Sequence, residues 1–259
     1  MVRKKYQVKK KKSILKNCLF RLTAFWLVLA GGLVYLIVFS TIFEIKEIWI
    51  TGNEKILSSN FQSFIWPRLE KKVLGLGVKN LLFTDNRFLE NQLMKEFPLA
   101  SKIRISQHWP DILAAEIEER QAVANWCQNQ VCFWLDKTGV VFFPGQKETL
   151  PIIKDKGTLV KKEISLGQKV LKEKTLSPIL EIQKTVSEKM KIGVAEFTLS
   201  DEGRLDAKTN EDWRIFFDLN QDLNWQLVRL ELLLEKELTP EKRQGLEYID
   251  LRFSKIYYK

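Results

Sequence analysis

Few side chains of the kind that perform chemistry stand out in this sequence. The single histidine is His108, and the chain has three cysteines. A Ser–His–Asp arrangement could be built around His108, but a histidine at the surface or in a turn is the simpler interpretation. A zinc site needs three or four Cys, His or carboxylate ligands, more than one histidine and two close cysteines supply. The sequence therefore predicts no catalytic, cofactor-binding or metal-binding residues.

Cys127 and Cys132 are the reactive side chains whose spacing is most informative. If Asn129 and Gln130 form a two-residue hairpin loop, the cysteines face each other as a non-hydrogen-bonded pair. The Cβ atoms of opposite residues come closest in such a pair, which approaches the geometry of a disulfide. A disulfide and two buried free thiols are both compatible with the sequence.

Carboxylates are numerous, but no pair of them is singled out by its spacing. The chain has 32 Asp and Glu residues, so a hydrolase that uses two carboxylates stays an alternative. Asp136 and Asp250 are interpreted as carboxylates of a turn and of a strand edge. There is no Walker-type loop and no G-x-G-x-x-G motif in the sequence. We therefore expect no cofactor and no small-molecule substrate.

The basic charge is concentrated at the N-terminus. The chain has a net charge of +10, and residues 1–43 hold nine Lys and Arg and no Asp or Glu. Residues 44–259 are left with a net charge of +1. A protein that binds nucleic acid should carry its basic excess on the folded domain, so no nucleic-acid partner is predicted.

An uncharged segment follows the basic tail. Residues 22–43 contain no Asp, Glu, Lys or Arg, and a helix of that length spans about 33 Å, enough to cross a hydrocarbon core of about 30 Å. Basic flanks stay in the cytoplasm, so we expect a single-pass protein of the cytoplasmic (inner) membrane whose residues 44–259 lie outside. A cleaved signal peptide is the alternative, although no A-x-A-like cleavage site follows.

The outer part predicts an α+β fold in two parts. The first has the order strand, helix, helix, strand, strand: Asp85 is a plausible N-cap of its second helix, and Ile103 and Ile105 alternate with polar residues as in a half-buried strand. The second part has short strands, a helix over 172–191 and a terminal strand over 248–259. A further helix is predicted by a stripe of leucines, which are Leu223, Leu227, Leu230 and Leu234.

Short segments with a recognisable family pattern follow one another along the outer chain. They are Ile50-Thr51-Gly52-Asn53, Asn80-Leu81-Leu82-Phe83-Thr84-Asp85, His108-Trp109-Pro110, Glu119-Arg120, Asp136-Lys137-Thr138-Gly139-Val140-Val141-Phe142 and Tyr248-Ile249-Asp250-Leu251-Arg252-Phe253. In this order, behind a basic tail and one apolar segment, they resemble the FtsQ/DivIB family of bacterial cell-division proteins. Gln121 stands where the family usually has proline.

The resemblance implies a fold and a domain organisation. The fold is α+β: a single N-terminal transmembrane helix, a small POTRA domain of order β-α-α-β-β, and a larger β-rich domain with helices packed on an antiparallel sheet. The implied segments are a cytoplasmic tail at 1–21, a transmembrane helix at 22–43, a POTRA domain at 44–119 and a β-rich domain at 120–259.

The resemblance also implies a function. Such a protein is a non-catalytic bitopic scaffold at the division septum that binds FtsB-like and FtsL-like coiled-coil proteins. Through them it acts on the septal peptidoglycan synthase complex and regulates peptidoglycan synthesis. The alternatives are a membrane-anchored POTRA protein of another envelope-assembly system and a membrane-anchored cell-wall hydrolase.

Strand addition is the physical route to partner binding that this sequence favours. A terminal strand with one unpaired edge offers a row of N–H and C=O groups to an incoming peptide. On one side of the strand Ile249, Leu251 and Phe253 should enter the core. The candidate partner-binding residues are Tyr248, Asp250, Arg252, Ser254 and Tyr257.

Overall fold

The computed structural model describes residues 18–73, 76–155, 163–200 and 203–259. Residues 1–17, with most of the basic tail, lie outside the described residues. The described residues form two compact units. One unit takes in residues up to 51, 57–91 and 104–116, and the other 52–56, 92–103 and 117–259. The domain boundaries at 44–119 and 120–259 stay a prediction.

The described chain begins with the apolar helix α1, Cys18–Phe39. Its segment Leu19–Phe39 has a mean hydropathy of 2.3, and it is long and apolar enough to cross a membrane. A signal sequence would meet the same criterion. The helix begins and ends about four residues earlier than the predicted span of 22–43. It begins at Cys18, includes Arg21 and ends at Phe39. Its last turn is capped by Asn80, whose side-chain amide donates to the carbonyl oxygens of Ile37 and Val38.

The elements that follow α1 have the predicted order β-α-α-β-β, with a short hairpin between the helices. They are β1 (Glu47–Thr51), α2 (Ser58–Ile65), β2 (Lys71–Val73), β3 (Leu76–Val78), α3 (Asn86–Glu96), β4 (Ala100–His108) and β5 (Ile112–Glu119). The sheet has the order β1-β5-β4, with β1 parallel to β5, and β2 pairs with β3 as a hairpin. Asp85 is the predicted N-cap, since its carboxylate accepts the N–H of Phe88 at 3.0 Å.

The rest of the chain forms a nine-stranded sheet with two helices. Its elements are β6 (Ala122–Gln128), β7 (Val131–Asp136), β8 (Val141–Pro144), β9 (Ile152–Asp155), α4 (Glu173–Glu188), β10 (Val194–Leu199), β11 (Arg204–Thr209), β12 (Arg214–Asp218), α5 (Leu223–Lys236), β13 (Tyr248–Asp250) and β14 (Tyr257–Tyr258). The strand order is β14-β13-β12-β11-β10-β9-β6-β7-β8. The predicted α+β class, with one N-terminal apolar helix and a large β-rich sheet, is therefore confirmed.

The sheet is mixed rather than purely antiparallel. β9 runs parallel to β6 and to β10, and β12 runs parallel to β13. A parallel pair needs a crossover connection, usually a helix. Here α4 lies in the chain between β9 and β10, and α5 lies between β12 and β13. The two helices that the apolar stripes predicted thus account for two of the parallel pairs.

One hydrophobic core joins α4 and α5 to one face of this sheet. Its helical members follow the predicted spacing, and its strands contribute large aromatic side chains. Among the fully buried residues are Leu176, Ile179, Leu230, Trp126, Trp213, Phe197 and Phe217. The opposite face of the sheet carries half-buried and charged side chains, such as Arg204 and Phe216.

The C-terminal residues do not form the single strand predicted over 248–259. β13 ends at Asp250, the chain bends, and β14 returns antiparallel to β13. Ile249 and Leu251 are buried as predicted, but Phe253 is 51% exposed. The bend is closed by the Asp250 carboxylate, which accepts the N–H of Arg252 at 3.1 Å. After this turn the alternation of a straight strand no longer applies.

The hairpin between β6 and β7 has the register that the cysteine spacing predicted. Asn129 and Gln130 both have positive φ, 47° and 70°, as a two-residue type I′ turn requires. Gln128 pairs with Val131 and Cys127 with Cys132. The structure joins the two cysteines by a disulfide.

We expect the disulfide to be present in the protein from oxidising conditions. Intact mass should rise by two hydrogens on reduction, and the free energy of unfolding should fall by about 2 kcal/mol, since the closed loop is short. The double variant Cys127→Ala and Cys132→Ala is the control, because its mass cannot change on reduction. An unchanged mass of the parent chain would show two free thiols instead.

Candidate partner-binding edge

The nine-stranded sheet has two end strands, β8 and β14, and they differ in how they are covered. Along β8, Val141 donates its N–H to the carbonyl of Gln168 and accepts the N–H of Gly167. A loop of the chain itself therefore occupies part of that edge. Lys154 and Glu196 form an ion pair in the middle of the sheet, far along the strand order from either end.

The edge of β14 presents backbone groups outward. Lys259 and Tyr248 exchange backbone hydrogen bonds of 3.2 and 3.3 Å. In an antiparallel pair only alternate residues bond to the neighbouring strand. Tyr258 faces Ile249 in the register, so its N–H and C=O point away from β13. These two groups are available to an added strand.

An aromatic and cationic platform lies beside this edge on the sheet face opposite the helices. The ring of Tyr248 stacks on that of Phe216, with 5.6 Å between centroids. The guanidinium groups of Arg204 and Arg252 lie 4.4 and 5.6 Å from the centroid of the same Phe216 ring. Of the residues predicted from the sequence, Tyr248 and Arg252 meet here.

Asp250 holds Arg252 in place rather than facing a partner. Its side chain is buried and forms two bonds to the guanidinium, Nε to Oδ1 at 2.9 Å and Nη2 to Oδ2 at 2.6 Å. Burial raises the pKa of the Asp250 carboxyl, but the hydrogen bonds and charge of Arg252 outweigh it, so the pKa lies below its ordinary value. The prediction that Asp250 is partly available on the outer side differs from the structure, since the bend draws this carboxylate inward.

The segment after the bend is fastened to α5. Arg229 donates to the carbonyl oxygens of Phe253 and Ser254 at 2.9 and 3.0 Å. Its guanidinium also lies 3.9 Å from the ring centroid of Trp225. The end of β14 is tied to the C-cap residue of the same helix, because the hydroxyl of Tyr258 bonds to a carboxylate oxygen of Glu237 at 3.1 Å. The exposed side of α5 therefore borders the C-terminal segment.

A second stripe of apolar residues runs along this exposed side of α5. Trp225, Val228 and Leu232 are all exposed, and their spacing places them on one face of the helix. Together with exposed Tyr258, which faces buried Ile249 in the register, they form what we call the α5–β14 surface. Tyr257 faces Asp250 and lies on the opposite face of β14, where its ring centroid is 5.9 Å from that of Phe253.

The comparison with known families decides what this part of the chain is. Residues 124–252 match the family model of "Cell division protein FtsQ/DivIB, C-terminal". The chain belongs to the FtsQ/DivIB family. The match takes in the sheet from β6 to β13, with α4 and α5. None of the curated proteins compared with the chain matches it.

Membership in the FtsQ/DivIB family makes this a cell-division protein. The length and apolar composition of α1 indicate a membrane anchor near the N-terminus. The family is one of non-catalytic division scaffolds that interact with other division proteins. His108, the histidine weighed as a catalytic residue, is exposed at the end of β4, with its ring 6.1 Å from that of Trp49. Within residues 18–73, 76–155, 163–200 and 203–259, no cluster of three or more His, Cys, Asp or Glu could hold a metal ion.

The Asp250–Arg252 pair in this FtsQ/DivIB domain is expected to stabilise the fold by an amount that depends on pH. Folding lowers the pKa of this carboxyl from its ordinary value of 3.8. The carboxylate therefore stabilises the native state fully when the pH is above 3.8, and this stabilisation is lost as the pH falls through the lower pKa of the folded state. We expect Asp250→Asn to lower the unfolding free energy by about 1–3 kcal/mol at neutral pH. The measurement is urea unfolding from pH 7 to pH 3. The difference between parent and variant should shrink below about pH 4, and a difference equally large at pH 3 would contradict this role.

Proposed function

We propose that this FtsQ/DivIB protein is a non-catalytic, bitopic scaffold that captures a small coiled-coil partner by strand addition to β14. The observation that carries the proposal is the outward N–H and C=O of Tyr258 at the end of the nine-stranded sheet. Main-chain hydrogen bonds supply affinity in this mode of recognition, and pockets for alternate side chains supply specificity.

Both faces of the β14 edge suit an added strand. Side chains of a strand alternate between the two faces of the sheet. On one face they would meet the platform of Tyr248, Phe216 and Arg252, and on the other the α5–β14 surface. The apolar stripe of α5 then suits a helical part of the same partner, because an amphipathic helix buries its apolar face in such a surface.

The predicted contact residues take different roles in this arrangement. Tyr257 and Ser254 are exposed and would contact the partner directly, and Tyr248 and Arg252 would contact it through the platform. Asp250 positions Arg252. The partners that fit are FtsB-like and FtsL-like bitopic coiled-coil division proteins.

The proposed location of the protein in the cell follows from the basic tail and from α1. With α1 in the inner membrane, the N-terminus lies in the cytoplasm and residues 44–259 lie outside, at the division septum. There the captured partners connect the scaffold to the septal peptidoglycan synthase complex, whose activity the assembly regulates.

Coexpression of the full chain with the FtsB-like and FtsL-like proteins of the same cell tests the proposal. Size-exclusion chromatography in detergent should show one complex that contains all three chains. A chain ended after Lys255 lacks β14 but keeps Leu251 and the Asp250–Arg252 pair, and it should elute alone. Separate elution of the full chain would contradict the scaffold role, and release of soluble fragments from purified peptidoglycan would favour the hydrolase alternative.

A further inference from the structure

The end of α1 is fixed to the first compact unit by buried Asn80. Its side-chain amide lies 3.0 Å from the carbonyl oxygen of Ile37 and 3.1 Å from that of Val38. These carbonyls belong to the last turn of α1, where no further N–H of the helix can reach them. The C-terminus of the helix and residue 80 therefore lie at the same level.

Backbone hydrogen bonds extend this attachment. Leu81 donates its N–H to the carbonyl of Phe43, and Ile45 donates to the carbonyl of Lys79, both at 2.9 Å. Glu44 and Asn80 form a β-bridge. The segments 43–45 and 79–81 thus continue from the helix end as a paired ladder, which leaves little freedom between α1 and this part of the unit.

Apolar side chains surround this attachment, all of them exposed except half-buried Phe43, and we call them the collar. Leu82 and Phe83 follow the paired segment directly and are 40% and 39% exposed. The ring of exposed Trp109 contacts that of Phe43, with centroids 5.7 Å apart. The collar consists of Ile42, Phe43, Leu82, Phe83 and Trp109.

We infer that the collar inserts into the lipid–water interface at the outer end of α1, so that the first unit rests on the membrane surface. The inference requires that α1 spans the membrane. The apolar segment Leu19–Phe39 has 21 residues, or about 31 Å of helix, so its last turn reaches the edge of a hydrocarbon core of about 30 Å. Asn80 holds the collar at that edge.

The chemistry of the collar suits a lipid surface. Tryptophan is enriched where a membrane meets water, since its ring is apolar at one end and polar at the other. Exposed Lys71 and Lys72 lie on β2, which pairs with β3. Gly77 and Val78 of β3 line the same groove as Val38 and Phe39 at the end of α1. The ammonium groups of Lys71 and Lys72 can therefore reach headgroup phosphates beside the collar.

Depth measurements on the full chain in lipid bilayers test the inference. Nitroxide labels are placed at Leu82→Cys in a Cys18→Ser background, with Trp109→Cys as a second collar site should the first variant fold poorly. Collision with oxygen, which concentrates in lipid, is compared with collision with a water-soluble nickel chelate. Two further labels serve as references, Leu33→Cys within α1 and Leu57→Cys in the first unit.

Leu57 is a matched control because it is an exposed leucine of the same unit. It follows β1, which carries the chain about 13 Å away from the collar over Glu47–Thr51. We expect the ratio of oxygen to nickel collisions to be several-fold higher at position 82 than at position 57. Equal, water-like ratios at both sites, with a lipid-like ratio at position 33, would overturn the collar and leave the anchor standing. A water-like ratio at position 33 would overturn the anchor itself.

Discussion

Replacement of Tyr258 by proline is expected to weaken capture of the coiled-coil partner about tenfold or more. Proline removes the backbone N–H that points away from β13, and it leaves the inward bonds of Lys259 with Tyr248 in place. Proline is tolerated on edge strands for this reason. The measurement is the dissociation constant of the full chain and the FtsB-like partner, together with the unfolding midpoint of each variant.

The matched control for this substitution is Tyr258→Phe. It removes the hydroxyl that bonds to Glu237 and keeps the outward N–H. We expect Tyr258→Phe to bind nearly as well as the parent. Equal affinity of the proline variant and the parent would show that strand addition at β14 is not the mode of capture. Equal weakening by both variants would assign the effect to the hydroxyl of Tyr258.

Removal of the Arg120 side chain is expected to destabilise the second unit by about 3–5 kcal/mol, because it leaves a buried carboxylate without its cation. Arg120 pairs with Asp136, and the side chains are 12% and 5% exposed. Burial raises the pKa of Asp136, but bonds from Val140, Thr138 and Arg120 outweigh it and hold the pKa below its ordinary value. The same carboxylate closes the turn before β8, where it accepts the N–H groups of Thr138 and Val140.

Lys208→Ala is the control for Arg120→Ala. Lys208 also pairs with an aspartate, Asp212, but these two side chains are 37% and 89% exposed. An exposed ion pair contributes about 0–1 kcal/mol, so this variant should unfold close to the parent. Urea unfolding of the full chain in detergent compares the two. Similar losses in both variants would show that burial of the Arg120 pair does not decide its contribution.

The sequence predicted elements best where the signal was local and repeated. The leucine stripe of α5 and the two-residue loop of Asn129 and Gln130 each depend on a few neighbouring residues, and the structure has both. The leucine stripe did not predict which apolar residues of α5 stay exposed and belong to the candidate site. Trp225 lies among apolar residues on the sequence, and only the packing of α5 shows which of them stay exposed.

Boundaries that depend on distant residues could not be predicted in the same way. α1 ends at Phe39, and its last carbonyls are taken by Asn80, far along the chain. At the C-terminus, the sequence predicted one strand over 248–259, whereas the Asp250 turn and the bonds from Arg229 bend the segment back on itself. The end strand of the sheet is therefore β14 rather than β13.

Amide hydrogen exchange of the full chain, alone and bound to the FtsB-like partner, tests strand addition most directly. An N–H that enters a sheet ladder exchanges more slowly, because it must open before it can exchange. We predict that binding protects residues 256–258 and that the exposed side of α5 gains protection with them. Unchanged exchange over 256–258, with protection confined to β1 or β4, would contradict the account and place the partner on the other sheet.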